Sequence, residues 1–130
     1  MVVDSSALVA ILRGDPESEE FTRAILASPS AAIAAPNFLE SGIVLERASG
    51  VSVAGKLRLY IEAIGLEVVP FGAEHVDAAL EAYRRFGKGS GHPARLNIGD
   101  CFAYALSRVR NAPLLYKGDD FAQTDVASAH

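Results

Sequence analysis

Short apolar runs alternate with amphipathic segments along the whole chain. Apolar runs bounded by turn-forming residues predict buried strands, and apolar positions that repeat every three to four residues predict helices. The predicted strands are Met1–Asp4, Ala31–Ala35, Leu66–Pro70, Ala112–Tyr116 and an edge strand at Val126–Ala129. The predicted helices are Ala7–Arg13, Pro16–Ala27, Pro36–Ser49, Val53–Ile64, Ala73–Phe86 and Asp100–Arg110. This alternation is typical of an α/β fold whose mostly parallel sheet is covered on both faces.

Proline and glycine residues set several of these boundaries. Pro16 suits the first turn of the second helix, and Gly50 and Gly65 are typical of residues that follow a helix. The segment Gly87–Asn97 is rich in glycine and basic residues, which predicts an exposed, mobile loop. The helix before that loop carries apolar residues on one face, at Val76, Ala79, Leu80 and Tyr83.

Composition narrows the class of protein. A chain of 130 residues, half of them hydrophobic, is long enough for one domain with a real core, so we expect residues 1–130 to form a single domain. No apolar run reaches the length of a membrane span, and the N-terminus lacks the basic segment of a secretory signal. The single cysteine, Cys101, lies among apolar residues, which suggests a core position in a reduced, cytoplasmic protein.

Several acidic residues occur beside apolar runs. Asp4 directly follows the first predicted strand, Glu40 lies in the third helix, and Asp100 begins the last helix. The pair Asp119–Asp120 follows the fourth strand. Carboxylates next to apolar runs are costly to bury unless they are paired or bound to metal, and ligands of open α/β sheets bind at the carboxyl ends of strands. These acids therefore suggest a site for a divalent cation.

Most of these acids also have a purely structural interpretation. Asp4 can cap the first helix, a common role for an aspartate after a strand. With Asn97 as N-cap, Asp100 falls at the third helical position, where an acid caps in return and favours the helix dipole. The Asp119–Asp120 pair is also compatible with ordinary turn chemistry. These roles account for each acid separately, so the cation site does not follow from any one of them.

Glu40 is the acid that a structural role explains least well. Ile43 and Val44 follow it at the third and fourth positions, so Glu40 shares their apolar face of the helix. A solvated glutamate is not expected on such a face.

In its order and spacing of acids, the chain resembles the PIN-domain ribonucleases, specifically VapC-like toxins of type II toxin–antitoxin systems. The matching segments are Val2–Leu8, Asn37–Glu40, Leu96–Ala105 and Pro113–Phe121, and together they cover nearly the whole chain. The resemblance implies a three-layer α/β/α PIN-like domain with a mostly parallel central sheet of four to five strands. It also implies a metal-dependent endoribonuclease.

The resemblance also implies which acids form the site. Asp4, Glu40 and Asp100 match the family's acids, and Asp4 and Asp100 are the expected ligands of Mg²⁺ or Mn²⁺. The family's fourth acid falls near Gly118 here, so one member of the Asp119–Asp120 pair would replace it. We favour Asp119 for this role, because Asp120 adjoins the apolar Phe121. A further site residue is Ser6, at a small polar position beside the first acid.

Hard cations held by carboxylates suit phosphodiester hydrolysis, because they neutralise phosphate oxygens and generate a nucleophile from water. The histidines offer no alternative: His75 is expected on a helix surface, His92 in a loop and His130 at the terminus. A net charge of −4 counts against a general nucleic-acid binder, but basic residues need only line the approach to the site. The candidates for phosphate contacts with single-stranded or looped RNA are Lys88, Arg95 and Lys117.

Two other classes of protein remain open. An aspartyl-phosphate enzyme, either a haloacid-dehalogenase-like phosphatase or a receiver domain, also places an aspartate after a strand. The phosphatase would have a second aspartate where Ser6 stands, and a receiver would carry its acceptor on a central strand rather than the first. The second alternative is a PIN-like module that only binds. Metal-dependent cleavage of RNA is expected of the nuclease alone.

If the resemblance holds, the chain forms a homodimer and binds a small antitoxin protein. The helices Pro36–Ser49 and Val53–Ile64 carry more apolar residues than one sheet face needs, which leaves some for an interface. An antitoxin would place an amphipathic segment there and bring an arginine to the acidic site. The apolar residues concerned are Ile43, Val44, Leu45, Leu57, Leu59 and Ile61.

Overall fold

The computed structural model describes residues 1–130 and contains one four-stranded sheet in which all strands are parallel. The strand order is β3-β2-β1-β4, so β1 lies inside the sheet, between β2 and β4. The strands are β1 (Val2–Val3), β2 (Ala31–Ala34), β3 (Leu66–Val69) and β4 (Leu114–Leu115). The predicted parallel sheet is confirmed, although β1 and β4 are shorter than the sequence suggested.

Six helices and one short 3-10 turn connect the strands. The helices are α1 (Ser5–Arg13), α2 (Ser18–Ala27), α3 (Ala35–Ser49), α4 (Ala54–Ala63), α5 (Ala73–Phe86) and α6 (Ile98–Arg110), and the 3-10 turn is Phe121–Gln123. All six predicted helices are present, with ends that differ by a few residues. Gly14 and Gly50 end α1 and α3 in the left-handed conformation, with φ of 70° and 73°, which glycine adopts without strain. None of the helices has the length and apolarity needed to cross a membrane.

The sheet is covered on both faces, as its side chains show. Successive residues of a strand point to opposite faces. Val2 and Leu114 accordingly belong to the core cluster shared with α5 and α6, whereas Val3 and Leu115 belong to the cluster shared with α1, α2 and α4. All four side chains are fully buried. The three-layer α/β/α arrangement follows from these two cores.

The segment expected to form an edge strand makes only one parallel bridge, between Ser128 and Leu114. The backbone of Leu114 donates to Ala127 O at 2.8 Å and accepts from Ala129 N at 2.9 Å. The C-terminal residues therefore extend the sheet beyond β4 without forming a regular strand.

Helix α5 packs differently from the simplest interpretation of its pattern. Its buried residues are His75, Ala82 and Phe86, while Val76 and Leu80 are exposed. The expectation of a surface position for His75 was wrong: the imidazole is buried, and its Nδ1 accepts a hydrogen bond from Gly72 N at 2.9 Å. This bond caps the start of α5 and accounts for a buried histidine.

Candidate active site

Asp4 stands at the carboxyl end of β1 and is the N-cap of α1. Its Oδ2 accepts a hydrogen bond from Ser6 N at 2.9 Å, so the capping role considered for this residue is real. The residue is only 2% exposed, and its other oxygen, Oδ1, is buried without a hydrogen-bond partner. Capping therefore explains one oxygen of this carboxylate and leaves the other free for a ligand.

Asp100 is the third residue of α6 and forms a reciprocal capping box with Asn97. Asn97 N donates to Asp100 Oδ2, and Asp100 N donates to Asn97 Oδ1, both at 2.9 Å. The structural role predicted for Asp100 is therefore confirmed. It also fixes the orientation of a carboxylate that is only half-buried and still accessible.

The two aspartates share one electrostatic environment. Burial raises the pKa of Asp4 to about 6, against hydrogen bonds from Ser6 that lower it. The pKa of Asp100 is likewise raised, to about 7, mainly by burial and also by the charges of Asp4, Asp120 and Glu40, against the bond from Asn97 that lowers it. The acids from four separate segments are thus close enough to repel one another, as expected of a cation site.

Glu40 is half-buried and accepts a hydrogen bond from the hydroxyl of Ser5. Glu40 is not half-buried because it shares an apolar face with Ile43, as the sequence suggested, since Ile43 is itself 44% exposed. Its burial comes from α6: a Cβ placed on Gly99 would lie 3.0 Å from Glu40 Cδ. Glu40 therefore joins the site through contacts of α3 with α1 and α6.

The turn after β4 carries the remaining acids. Asp119 and Asp120 are both exposed, and the turn is permitted by Gly118, whose φ is 101°. Of the two, Asp120 is the one whose charge raises the pKa of Asp100. The preference for Asp119 therefore finds no support in the electrostatics of the site. Ser6 connects this turn to α1, since its Oγ accepts a hydrogen bond from Lys117 N at 3.0 Å.

The basic residues differ in their surroundings. Lys88 and Arg95 are exposed on the loop before α6, and Arg95 has a φ of 49°. The ammonium group of Lys117 instead forms ion pairs with Asp15, at 2.8 Å, and with Glu17, at 3.2 Å. These pairs raise the pKa of Lys117, so its charge is already compensated within the chain.

The donor set fits a hard cation, although no group of three ligand-type side chains is close enough to enclose an ion. Mg²⁺ keeps several waters and is held by one or two carboxylates together with substrate oxygens. Asp4 meets this need with the buried, unpaired Oδ1, and Asp100 adds a second carboxylate of fixed orientation. A two-carboxylate site for Mg²⁺ or Mn²⁺ is therefore compatible with these residues.

Three residues that hold Glu40 in the site were not singled out as site residues from the sequence. Ser5 donates to Glu40, Gly99 lies against the Glu40 carboxyl group, and Asn37 Nδ2 donates to Gly99 O at 2.9 Å. All three lie in the matching segments Val2–Leu8, Asn37–Glu40 and Leu96–Ala105, but the contacts between these segments are tertiary. Only the packing of α3 on α1 and α6 brings them together.

Comparison with known proteins identifies the family of the chain. The family model of the PIN domain matches residues 1–127. Ribonuclease VapC of Mycolicibacterium smegmatis is 44% identical over 130 residues, 100% of each chain. Ribonuclease VapC42 of Mycobacterium tuberculosis is 39% identical over 129 residues, 99% of this chain and 98% of its own.

Two solved structures share the fold at low sequence identity. The sarcin–ricin loop cleaving toxin VapC20 of M. tuberculosis aligns with a TM-score of 0.75 and 18% identity, over 97% of this chain and 95% of its own. A toxin–antitoxin complex from Klebsiella pneumoniae aligns with a TM-score of 0.72 and 14% identity, over 99% of this chain and 97% of its own. Haloacid-dehalogenase-like and receiver folds are not supported, and the chain belongs to the PIN-domain family, among its VapC members.

Proposed function

We propose that this protein is the endoribonuclease toxin of a type II toxin–antitoxin pair, and that it hydrolyses RNA with Mg²⁺ or Mn²⁺ held by Asp4 and Asp100. The observation that carries the proposal is the buried Asp4 Oδ1 without a hydrogen-bond partner. Such an oxygen is costly unless it meets a proton or a cation. The relatives named as ribonucleases support RNA as the substrate, and the toxin–antitoxin complex supports the partner class.

Asp4, Asp100 and Glu40 have different roles in the proposed reaction. When bound, a divalent cation supplies charge that neutralises a phosphate oxygen and lowers the pKa of water. Asp4 offers Oδ1 to the cation while Ser6 N holds its other oxygen, and Asp100 is oriented by Asn97 N. Glu40, held by the Ser5 hydroxyl, orients the attacking water by accepting its hydrogen bond.

We assign the fourth acid to Asp120 rather than Asp119. Both are exposed, but only Asp120 is among the charges that raise the pKa of Asp100. An exposed carboxylate is well solvated and contributes mainly charge, so it supplements the two proposed ligands, Asp4 and Asp100, without replacing either.

Basic residues on the loop before α6 are the proposed contacts for substrate phosphates. Lys88 and Arg95 are exposed and belong to the segment that leads into Asp100. Phosphate contacts position a nucleic acid without reading its sequence, so these residues support binding of single-stranded or looped RNA in general. Lys117 is a weaker candidate, because it must first leave Asp15 and Glu17.

A cleavage assay tests the enzymatic proposal directly. Purified protein is incubated with a fluorescent RNA oligonucleotide in excess EDTA and again after Mg²⁺ or Mn²⁺ is restored, with Asp4→Asn as the control for contaminating nuclease. We expect cleavage only with the cation and only by the wild type. Cleavage that survives EDTA would contradict the cation mechanism, and a cation-loaded protein that binds RNA without cutting it would be a binding module.

For the homodimer, we propose that a second copy of the chain covers the apolar groove between α5 and α6. The groove has a volume of about 510 Å³, and its lining includes Val76, Leu80, Tyr83, Ile98 and Phe102. Ile98 is 71% exposed and Leu80 is 53% exposed, although both belong to well-formed helices. Apart from Lys88 the lining carries no charge, so a phosphate-rich substrate gains little from it, whereas an isologous copy would bury both apolar faces at once.

For the antitoxin, we propose the surface of α3 and α4. Leu57 and Ile61 proved to be core residues, whereas Ile43 and Leu59 are 44% and 69% exposed. A short amphipathic helix fits such residues. The net charge of −4 favours a basic partner, and an arginine from that partner would pair with the acidic site.

Matched substitutions separate the two surfaces. Leu80→Asp should convert the dimer to a monomer in light scattering while the antitoxin still co-purifies, and Leu59→Asp should do the reverse. Val109→Asp is the control, because Val109 is a comparably exposed residue of α6, 40% exposed, outside the groove lining. A wild-type monomer at micromolar concentration would contradict the dimer.

We further propose that residues 1–130 act as one domain in the cytoplasm. Both core clusters share the same sheet, so they should unfold together in one transition. The unpaired thiol of Cys101 is buried, and its pKa is raised to about 11, which suits a structural thiol in a reduced compartment. Two separate unfolding transitions would contradict the single domain.

A further inference from the structure

The carboxyl group of Glu40 occupies space that any side chain at position 99 would need. A Cβ built on Gly99 would lie 3.0 Å from Glu40 Cδ and 3.1 Å from Oε1, and closer still to Oε2. Gly99 itself is buried at the start of α6, directly before Asp100. The glycine thus allows one acid of the site to approach the backbone beside another.

One hydrogen bond holds the Glu40 carboxyl group, and a second holds its helix, α3, against α6. The Ser5 hydroxyl donates to Glu40 Oε1 from the side of α1. Asn37, one helical turn before Glu40, donates its Nδ2 to Gly99 O at 2.9 Å and is fully buried. Because this second bond ties α3 to the first turn of α6, a shift of α3 that made room for a side chain on Gly99 would strain or break it.

Glycine has no conformational reason to occupy this position. Gly99 is the second residue of α6, and its φ is not in the left-handed region that favours glycine. Alanine is the better helix former. The chain therefore gives up helix stability at a position where the three atoms nearest to an added Cβ all belong to the Glu40 carboxyl group.

We propose that Gly99 is a positioning residue for the cleavage reaction, which holds the Glu40 carboxylate between its own backbone and the Ser5 hydroxyl. Gly99 does not contact substrate and acts only through Glu40. The inference rests on the proposed nuclease function, because Glu40 has a part in the reaction only if the site hydrolyses RNA.

The test compares Gly99→Ala with Gly55→Ala in the full chain. Gly55 is also the second residue of a helix, α4, but nothing lies within 4 Å of the place where its Cβ would be. Gly55→Ala should raise the melting temperature by about 2–4 °C and leave cleavage unchanged. Gly99→Ala should lower kcat by about 100-fold with little change in KM, because a displaced Glu40 loses its alignment.

The same two substitutions are then made in a Glu40→Ala background. Without the Glu40 carboxyl group, Gly99→Ala should raise the melting temperature as much as Gly55→Ala does, and it should cause no further loss of kcat. When Glu40 is present, Gly99→Ala should show no such gain in melting temperature, because it displaces Glu40 and the hydrogen bond from Ser5 is lost. The dependence of the thermal shift on Glu40 is a readout that general loosening of the helix would not produce.

The outcomes separate this inference from the proposed function. If Gly99→Ala cleaves RNA like Gly55→Ala, the inference is wrong and the nuclease proposal stands. If Gly99→Ala fails to fold in both backgrounds, the inference is also wrong, because Gly99 then serves something other than Glu40. If the wild type shows no cation-dependent cleavage, the nuclease proposal fails, and the positioning role in cleavage fails with it.

Discussion

Two neighbouring strands, β1 and β4, are each followed by acidic residues, and these acids differ in their exposure to solvent. β1 and β4 run parallel with Val2 beside Leu114 and Val3 beside Leu115, so both strands end at one rim of the sheet. Asp4 follows β1 directly and is 2% exposed, because α1 begins at once and its first turn binds the carboxylate. β4 is instead followed by a glycine turn in which Asp120 is exposed.

The difference shows what makes a carboxylate a fixed ligand. Desolvation raises the pKa of Asp4 to about 6, so its ionised form is held at a free-energy cost that a cation can relieve. An exposed acid such as Asp120 stays solvated and has no such cost. We therefore expect cleavage and stability to depend strongly on Asp4 and weakly on Asp120.

The largest expected effect is on cleavage. Asp4→Asn and Asp100→Asn should each lower kcat by at least about 1000-fold, because each removes a ligand charge that the rest of the site cannot replace. Asp120→Asn should lower it by about 10-fold, and Asp119→Asn should change little. The measurement is single-turnover cleavage at saturating Mg²⁺. Equal losses for Asp4 and Asp120 would refute the distinction between them.

The second effect is on stability without metal. The folded pKa of Asp4 is about 6 and its ordinary value is 3.8, so this carboxyl has no effect well below pH 3.8, where it is protonated in both the folded and the unfolded state. As the pH rises from about 4 to about 6, the carboxyl ionises in the unfolded state but stays protonated in the folded state, so the folded protein loses up to about 3 kcal/mol relative to Asp4→Asn, and the loss is constant above that range. In EDTA, the variant should therefore be more stable at pH 8, by urea unfolding, and the difference should shrink below pH 6 and vanish below about pH 3.

The competing result is equally clear. If Asp4 serves only as the cap of α1, then Asp4→Asn should be no more stable than the wild type at pH 8. Addition of Mg²⁺ provides the control, since it should stabilise the wild type and leave the variant unchanged.

The contrast between Asp4 and Glu40 also shows which site residues can be predicted from the sequence. Asp4 was predictable because its setting is local: a buried strand, an acid and two serines within six residues. Glu40 was identified from the segment Asn37–Glu40 and from an apolar-face argument, and the second gave the wrong reason, since the surroundings of Glu40 come from Ser5 and Gly99. No local pattern records a contact between helices that are far apart in the chain.

Helix α5 shows the same limit for the fold: the sequence predicts the helix but not which of its residues are buried. Its apolar stripe predicted the helix correctly, but Val76 and Leu80 are exposed while Ala82 and Phe86 are buried. Hydrophobic periodicity reports that a face avoids water, and it does not distinguish the core of one chain from an interface with another. Burial of α5 depends on where the sheet and α6 lie, which is decided by tertiary packing.

A smaller effect is expected at Ser6, which joins the two regions. Its Oγ accepts a hydrogen bond from Lys117 N at 3.0 Å and so ties the acidic turn to α1. Ser6→Ala should lower kcat by about 5-fold, in keeping with the loss of about one hydrogen bond, and should lower the unfolding free energy by about 1 kcal/mol. Ser49→Ala is the control, because it removes a hydroxyl bonded only at the end of α3. Equal activity of the two variants would show that the turn needs no such tie.

The smallest effect is expected at Lys117, which distinguishes a substrate contact from a structural one. Lys117→Met, Lys88→Met and Arg95→Met are compared in an Asp4→Asn background, so that RNA is bound without being cut. Loss of one phosphate contact should reduce the slope of log affinity against log salt by about 1. We expect this for Lys88 and Arg95 only, because the ammonium of Lys117 is held by Asp15 and Glu17. A reduced slope for Lys117→Met would mean that the ion pairs open when RNA binds, and the acidic turn would then move with its substrate while Asp4 stays fixed.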